Sequence, residues 1–156
     1  MPASDAGRHS QDSAALAAAV REAGAIALKT FRAPIKSWTK GYDSPVSEAD
    51  IAVDDFLKER LAQAGTGWLS EETADSRARL SERRVLIVDP IDGTRGYAAG
   101  DARWAVSIAL VEDGRPICGV VHAPALAETF TATAGGGAFL NGAAIRVSAA
   151  QRFDAM

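Results

Sequence analysis

The sequence predicts an α+β fold in which two N-terminal helices pack on one face of a mainly antiparallel sheet. Apolar residues recur at helical spacing over residues 13–31 and again after Ser47, a residue type suited to cap a helix start. Beyond Gly65 the pattern changes to short apolar runs separated by turn residues. Helices that precede a series of strands, instead of alternating with them, are typical of an α+β domain.

The first helix is expected over residues 13–31, because this stretch is rich in Ala and Pro34 ends it. We expect residues 1–12, which are polar, to form a flexible N-terminus. A loop should follow the helix over residues 37–45.

The second helix is expected to begin after Ser47 and to end at Gly65. Glu48 and Asp50 lie in its first turn, where negative charge offsets the helix dipole. Capping is therefore the ordinary interpretation of Asp50, unless other acidic residues meet it in space.

The strands are predicted from apolar runs and turn signals. Residues 85–88, Val-Leu-Ile-Val, form a continuous run typical of a strand buried on both faces. Asp113-Gly114 indicates a hairpin between strands at 104–111 and 116–122. Further strands are expected at residues 68–70, 128–133, 138–140 and 145–147.

Composition limits the possible functions. With 156 residues, 47% of them hydrophobic and 24% charged, the chain fits a single soluble domain at residues 13–150. The net charge of −3 argues against a nucleic acid polymer as partner. The one cysteine, Cys118, cannot form an intrachain disulfide, and no apolar run approaches the roughly 20 residues of a membrane span. We therefore expect a cytoplasmic protein that binds no membrane, with Cys118 as a buried thiol.

The strongest chemical signal is the hexapeptide Asp89–Thr94, Asp-Pro-Ile-Asp-Gly-Thr, directly after the predicted buried strand. Two carboxylates at such a position repel each other unless a cation lies between them. Ligands that are all oxygen suit Mg²⁺ or Mn²⁺ better than Zn²⁺. Gly93 lets the backbone approach a ligand, and the amides of Gly93 and Thr94 with the Thr94 hydroxyl could hold phosphate. An ordinary turn is the alternative, which the second carboxylate disfavours.

This hexapeptide resembles the signature of the inositol monophosphatase family. Residues 47–50, Ser-Glu-Ala-Asp, resemble the family's Thr/Ser-x-x-Asp segment, and residues 69–73 resemble its Gly-Glu-Glu segment, with Ser70 in place of the usual Gly. Further similarities lie at residues 104–110, 119–124 and 137–142. The resemblance implies the N-terminal half of the family's α/β/α/β/α sandwich, a small phosphorylated metabolite as the binding partner, and a homodimer.

The resemblance also implies roles for individual residues. Glu71 and Asp89, with the Ile91 carbonyl, would ligate one Mg²⁺, and Asp89 and Asp92 would hold a second; two or three ions are expected, with Mn²⁺ possible. Asp50 and Thr94 would position and help deprotonate the attacking water, with Glu71 also catalytic. Phosphate would be bound by Asp92, Gly93 and Thr94. Glu72 would lie next to the metal ligands without binding the ion itself.

One family feature has no counterpart in the sequence. The resemblance implies a further metal ligand, an Asp that follows a Trp in a C-terminal α/β domain. Trp38, Trp68 and Trp104 are not followed by Asp. We expect residues 151–156 to be the start of that missing domain, and the chain alone to bind Mg²⁺ weakly and to hydrolyse phosphomonoesters poorly or not at all.

The expected function is Mg²⁺-dependent hydrolysis of a small phosphomonoester, either an inositol phosphate or 3′-phosphoadenosine 5′-phosphate. Residues 44–47 and 69–72 are more similar to bacterial 3′(2′),5′-bisphosphate nucleotidases than to animal inositol enzymes, whereas residues 94–97 are similar to enzymes that act on histidinol phosphate. A truncated, weak or inactive member that serves as a binding or assembly module is the alternative outside catalysis. A haloacid-dehalogenase phosphatase is disfavoured, because its Asp-x-Asp spacing differs from that of Asp89 and Asp92.

Overall fold

A computed structural model describes residues 3–40 and 44–149, with side chains described for residues 7–39 and 46–149. In chain order its helices are α1 (Ala3–Thr30), α2 (Glu48–Leu61) and α3 (Thr94–Ala98). Its strands are β1 (Ser37–Lys40), β2 (Ser44–Ser47), β3 (Thr66–Ser70), β4 (Arg84–Asp92), β5 (Ala105–Glu112), β6 (Arg115–Ala123), β7 (Glu128–Thr133), β8 (Gly137–Leu140) and β9 (Ala143–Ile145). Short 3₁₀ helices lie at Arg77–Ser81 and Pro124–Leu126.

Seven of these strands form one sheet in the order β3-β4-β5-β6-β7-β8-β9. Strands β3 and β4 are parallel, and every following pair is antiparallel. The expectation of a mainly antiparallel sheet is therefore confirmed. The parallel pair has a specific consequence, because parallel strands bring their carboxyl ends to the same edge of the sheet.

Helices α1 and α2 pack against each other and against the sheet, α1 on β5, β6 and β7, and α2 on β4. The core between them is apolar and fully enclosed, as Val20 of α1, Val53 of α2 and Val106 of β5 are all 0% exposed. This arrangement confirms the predicted α+β class. Burial of each such side chain stabilises the fold by roughly 1.5–3 kcal/mol before the loss of chain entropy is counted.

The two faces of the sheet differ. Along β4, Leu86 and Val88 are buried, whereas Ile87 between them is 41% exposed. Successive side chains of a strand point to opposite faces, so Ile87 lies on the face away from the helices. Asp89 is two residues beyond Ile87 in the same strand, and therefore belongs to that face too.

Several local expectations were wrong. Helix α1 begins at Ala3, so residues 3–12 are helical where a flexible N-terminus was expected. The expected loop at 37–45 contains the β1–β2 hairpin, with Trp38 opposite Val46. Its residues 41–43 lie outside the described part of the chain, as do residues 150–156 with the expected start of a second domain.

The second helix matches its prediction at the start, where Ser47 is the N-cap, but it ends at Leu61, before Gly65. Strand β4 runs through the hexapeptide to Asp92 instead of stopping at residue 88. The short helix α3, which was not predicted, then begins at Thr94.

Cys118 is buried and free, as the sequence indicated. Burial raises the pKa of its thiol to about 11.

Within the described part of the chain, no helix combines the length and the apolar character that crossing a membrane would require.

Candidate active site

The parallel pairing of β3 and β4 places Glu71 beside Asp89. Ser70, the last residue of β3, is opposite Val88. The Glu71 amide continues this pairing, since it donates to the Val88 carbonyl at 3.3 Å. Two carboxylates that are distant in sequence therefore meet at one edge of the sheet.

The Asp89 carboxyl is the electrostatic centre of this group. Its pKa rises to about 7, first because of burial and then through the negative charges of Glu71, Asp92, Asp50 and Glu72, in that order. The four other acidic residues that the sequence analysis selected are therefore close enough to act on the Asp89 carboxyl. A divalent cation would relieve this repulsion and favour the ionised form of Asp89.

The pairing of β4 with β5 is irregular between Asp89 and Asp92. In a regular strand, residues three positions apart point to opposite faces of the sheet. An irregularity of this kind changes the direction of a side chain, and it is common beside active sites. Asp92 is the exposed final residue of β4, and Gly93 follows with a positive φ of 91°.

Asp50 serves two partners at once. Its Oδ2 accepts hydrogen bonds from the Ser47 amide at 2.8 Å and from the Ser47 hydroxyl at 2.5 Å. Its Oδ1 accepts one from the Thr94 hydroxyl at 3.1 Å. Asp50 is only 1% exposed, so its carboxylate is fixed by both contacts. The capping contact that the sequence predicted is therefore present, and the second oxygen of the same carboxylate contacts Thr94.

The Thr94 hydroxyl has one proton and two acceptors within reach. Its Oγ1 lies 2.9 Å from the Ile91 carbonyl oxygen and 3.1 Å from Asp50 Oδ1. Whichever of the two accepts the hydrogen bond, the Thr94 oxygen keeps lone pairs that can accept a hydrogen bond from another donor, such as a water molecule. Gly93 before it cannot be replaced without strain, because a Cβ there would lie 3.0 Å from the Arg103 carbonyl oxygen.

The remaining predicted residue, Glu72, follows Glu71 in the segment after β3. Its amide donates to the Ser70 hydroxyl at 3.2 Å, so the segment after β3 is held by a side chain of its own strand. Ser70 is itself 7% exposed. Ser70, the position that departs from the family pattern, is thus a buried residue whose hydroxyl binds the Glu72 amide.

Among the described residues, no three His, Cys, Asp or Glu side chains are arranged as a ready-made metal cage. The donor set still fits a hard divalent cation. It consists of carboxylates and a backbone carbonyl, and the pKa of Asp89 is raised first by burial and then by the negative charges of the acidic residues around it. Glu71, Asp89 and Asp92 are therefore the residues that could hold Mg²⁺.

The sequence analysis missed Asp54. This residue of α2 is 3% exposed, and its carboxylate contacts Ser70 and Thr73 on either side of Glu71 and Glu72. A signal was present: Asp54 follows Asp50 by four residues, so both lie on one face of the helix. Leu57 and Leu61 continue that face and are buried, so an Asp within it is unusual.

The family model described as "Inositol monophosphatase family" matches residues 8–155. The chain belongs to this family. A fructose-1,6-bisphosphatase/inositol-1-monophosphatase of Thermotoga maritima is 54% identical over 110 residues, which are 69% of this chain and 41% of that protein. A histidinol-phosphatase of Mycobacterium tuberculosis is 45% identical over 103 residues, or 65% of this chain and 39% of that one.

The fold agrees with this assignment. The extragenic suppressor protein suhB from Bartonella henselae matches with a TM-score of 0.83 and 33% identity, over 88% of this chain and 55% of that one. The chain spans about half the length, or less, of the curated relatives it matches, from 39% to 51%. The sequence-based recognition of the family, and of this chain as corresponding to the N-terminal part of it, is confirmed.

Proposed function

We propose that this chain carries the carboxylate and water-activating part of a phosphomonoesterase that uses Mg²⁺. The observation that supports this most is that residues from three separate segments of the chain meet at one place. Glu71 lies beside Asp89 at the carboxyl ends of β3 and β4, and Asp50 of α2 binds Thr94 after β4. An ordinary turn at Asp89–Thr94 would not require the other two acidic residues to converge on it.

In this proposal Thr94 and Asp50 orient the attacking water. The Thr94 hydroxyl donates to Asp50 Oδ1, which leaves its oxygen free to accept a hydrogen bond from water. Asp50 then receives the proton through Thr94, as a general base held in place by its two bonds from Ser47. Such positioning raises the rate because the oxygen is held ready for in-line attack on phosphorus.

Glu71, Asp89 and Asp92, with the Ile91 carbonyl, are the proposed ligands of Mg²⁺. The chemistry that Mg²⁺ supplies when bound is a lower pKa for water and stabilisation of negative charge on the phosphoryl and leaving oxygens. The amides of Gly93 and Thr94 would hold the phosphate, with Asp92 beside it. Two or three ions, Mn²⁺ as a substitute and a homodimer remain part of the proposal.

The proposed substrates are small phosphomonoesters. The Thermotoga maritima relative is named for fructose-1,6-bisphosphate and inositol-1-phosphate, and the Mycobacterium tuberculosis relative for histidinol phosphate. Inositol phosphates are the first choice because several of the relatives carry that name. Histidinol phosphate is the second, supported by 45% identity. The similarity to 3′(2′),5′-bisphosphate nucleotidases stays a prediction.

The test is Mg²⁺-dependent release of inorganic phosphate from inositol-1-phosphate, histidinol phosphate and 3′-phosphoadenosine 5′-phosphate, measured on the wild-type protein and on Thr94→Val. We expect slow release that requires Mg²⁺ and falls at least 100-fold in the variant, because without the Thr94 hydroxyl the general base Asp50 has no link to the water, and general acid–base catalysis typically contributes 10²–10⁴-fold. Mg²⁺ binding without any phosphate release would favour the binding-module alternative. No Mg²⁺ binding at all would contradict the proposal.

A further inference from the structure

The segment that carries Glu71 is held in place by a buried carboxylate outside the proposed ligand set. Asp54 Oδ1 accepts a hydrogen bond from the Ser70 hydroxyl at 2.5 Å, and its Oδ2 accepts one from the Thr73 hydroxyl. Ser70 and Thr73 flank Glu71 and Glu72 on either side. Both oxygens of Asp54 are therefore engaged with the two ends of a four-residue segment.

The contact extends one step further, into the backbone of the segment. The Ser70 hydroxyl donates a hydrogen bond to Asp54, and its oxygen accepts a hydrogen bond from the Glu72 amide at 3.2 Å. The Glu71 amide is meanwhile bound to the Val88 carbonyl of β4. The backbone around Glu71 is thus fixed from two directions, by the neighbouring strand and by α2 through Asp54.

Asp54 is 3% exposed, and burial of a carboxyl group costs free energy unless hydrogen bonds compensate, so Asp54 is more than core filling. In its ionised form a carboxylate accepts hydrogen bonds only, which matches the two hydroxyl donors that face it. Bonds to a charged acceptor are stronger than bonds between neutral groups. The pair of contacts is suited to hold two hydroxyls at a fixed distance from the helix.

Helix α2 therefore reaches both sides of the site from one face. Asp50 binds Thr94, which follows β4, and Asp54 binds the segment that follows β3. The two residues are four positions apart, one turn of the helix. A rigid helix that contacts both segments fixes their separation before any cation is present.

We propose that Asp54 is a positioning residue for the metal site: it sets the place of Glu71 relative to Asp89 without touching the metal itself. This inference rests on the proposed function, in which Glu71 is a ligand. Loss of Asp54 would leave every ligand present but would free the segment at residues 70–73. The cation would then have to order that segment on binding, and its affinity would fall about 10- to 100-fold, the usual effect of residues that orient metal ligands.

The experiment compares Asp54→Asn with Asp55→Asn in the 156-residue chain. Asp55 is the next residue of α2 and is exposed, so it matches the change in charge without the contacts. Mg²⁺ binding is measured by calorimetry, and hydrogen exchange of the amides of residues 71–73 is measured in EDTA. We expect Asp54→Asn to weaken Mg²⁺ binding at least 10-fold and to speed the exchange, and Asp55→Asn to change neither.

Thr73→Val keeps Asp54 and removes one hydroxyl, so it serves if Asp54→Asn does not fold. If Asp54 only stabilised the fold, Thr73→Val would lower the melting temperature and leave the Mg²⁺ dissociation constant and the local exchange unchanged, which would overturn the inference. The proposed function has a separate outcome: a wild-type chain that binds no Mg²⁺ contradicts it. In that case the metal part of the inference falls with it: faster exchange in Asp54→Asn would still show that Asp54 positions residues 71–73, and unchanged exchange would overturn that role as well.

Discussion

The two sides of the candidate site are built differently. The β4 side, residues 89–94, is a continuous hexapeptide whose carboxylates, glycine and hydroxyl are adjacent in sequence. The β3 side contributes Glu71, and its place depends on Asp54 and on the pairing of β3 with β4. The difference teaches that a compact motif can supply most of the proposed ligands, while a distant helix determines where the last proposed ligand, Glu71, lies relative to them.

The largest expected effect comes from removing the centre of the β4 side. Asp89→Asn should lower Mg²⁺ affinity by more than 100-fold, because Asp89 is the carboxyl on which the other acidic residues act. Calorimetric titration with Mg²⁺ would measure this. Asp113→Asn, in the β5–β6 turn, is the matched control and should bind as wild type. Similar losses in both variants would mean that overall charge, and not the site, determines binding.

A second change tests how strictly the β4 side depends on its backbone. Gly93→Ala should destabilise the protein by about 2–3 kcal/mol, from a left-handed conformation combined with a close contact to the Arg103 carbonyl. Gly65→Ala also has a positive φ, of 75°, but its Cβ would meet open space. It should lose only about 1 kcal/mol. Urea unfolding of both variants gives the difference, and equal losses would show that the Arg103 contact has no effect.

The β4 side could be predicted from sequence because its chemistry is local. The spacing of Asp89, Asp92 and Thr94 is visible without a structure. The parallel pairing of β3 with β4 was not predicted, since strand partners are chosen by contacts between distant residues. Asp54 was missed for the same reason: its partners, Ser70 and Thr73, are sixteen and nineteen residues away.

Local signals also failed where they were weak. The β1–β2 hairpin is short and polar and contains Pro45, a residue that disfavours a strand assignment. Helix α3 has five residues with Gly96 among them, so no helical period can be read from it. The fold class and the hexapeptide are therefore predictable, whereas the elements that connect the hexapeptide to the rest of the site require tertiary structure.

The raised pKa of Asp89 gives the site a pH dependence. Well below pH 3.8 the carboxyl is protonated in the folded and the unfolded chain alike. As the pH rises, the unfolded chain ionises first, so the contribution of Asp89 to stability is lost progressively until its folded pKa of about 7 is reached. Urea unfolding in EDTA should show this loss between pH 4 and 7, and Asp89→Asn should reduce it.

Mg²⁺ should reverse that trend, because it binds the ionised form of Asp89. Below pH 7 its affinity should rise with pH by up to about tenfold per unit, with release of up to one proton per ion. Calorimetry in two buffers of different ionisation enthalpy counts the protons. An affinity that does not change between pH 5 and 7 would contradict a role for Asp89 as a ligand.

The smallest expected effect concerns the contact between the β4 side and α2. Thr94→Val removes the hydroxyl that donates to Asp50 Oδ1, and should cost about 1–2 kcal/mol because a buried acceptor loses its donor. Thr94→Ser keeps the hydroxyl and should lose less than half as much. Urea unfolding measures both, and Mg²⁺ affinity should change little in either, since the resemblance gives Thr94 no place among the ligands. A large loss of Mg²⁺ binding in Thr94→Val alone would show that Asp50 positions the β4 side as Asp54 positions the β3 side. Both sides of the site would then be positioned by a carboxylate of α2.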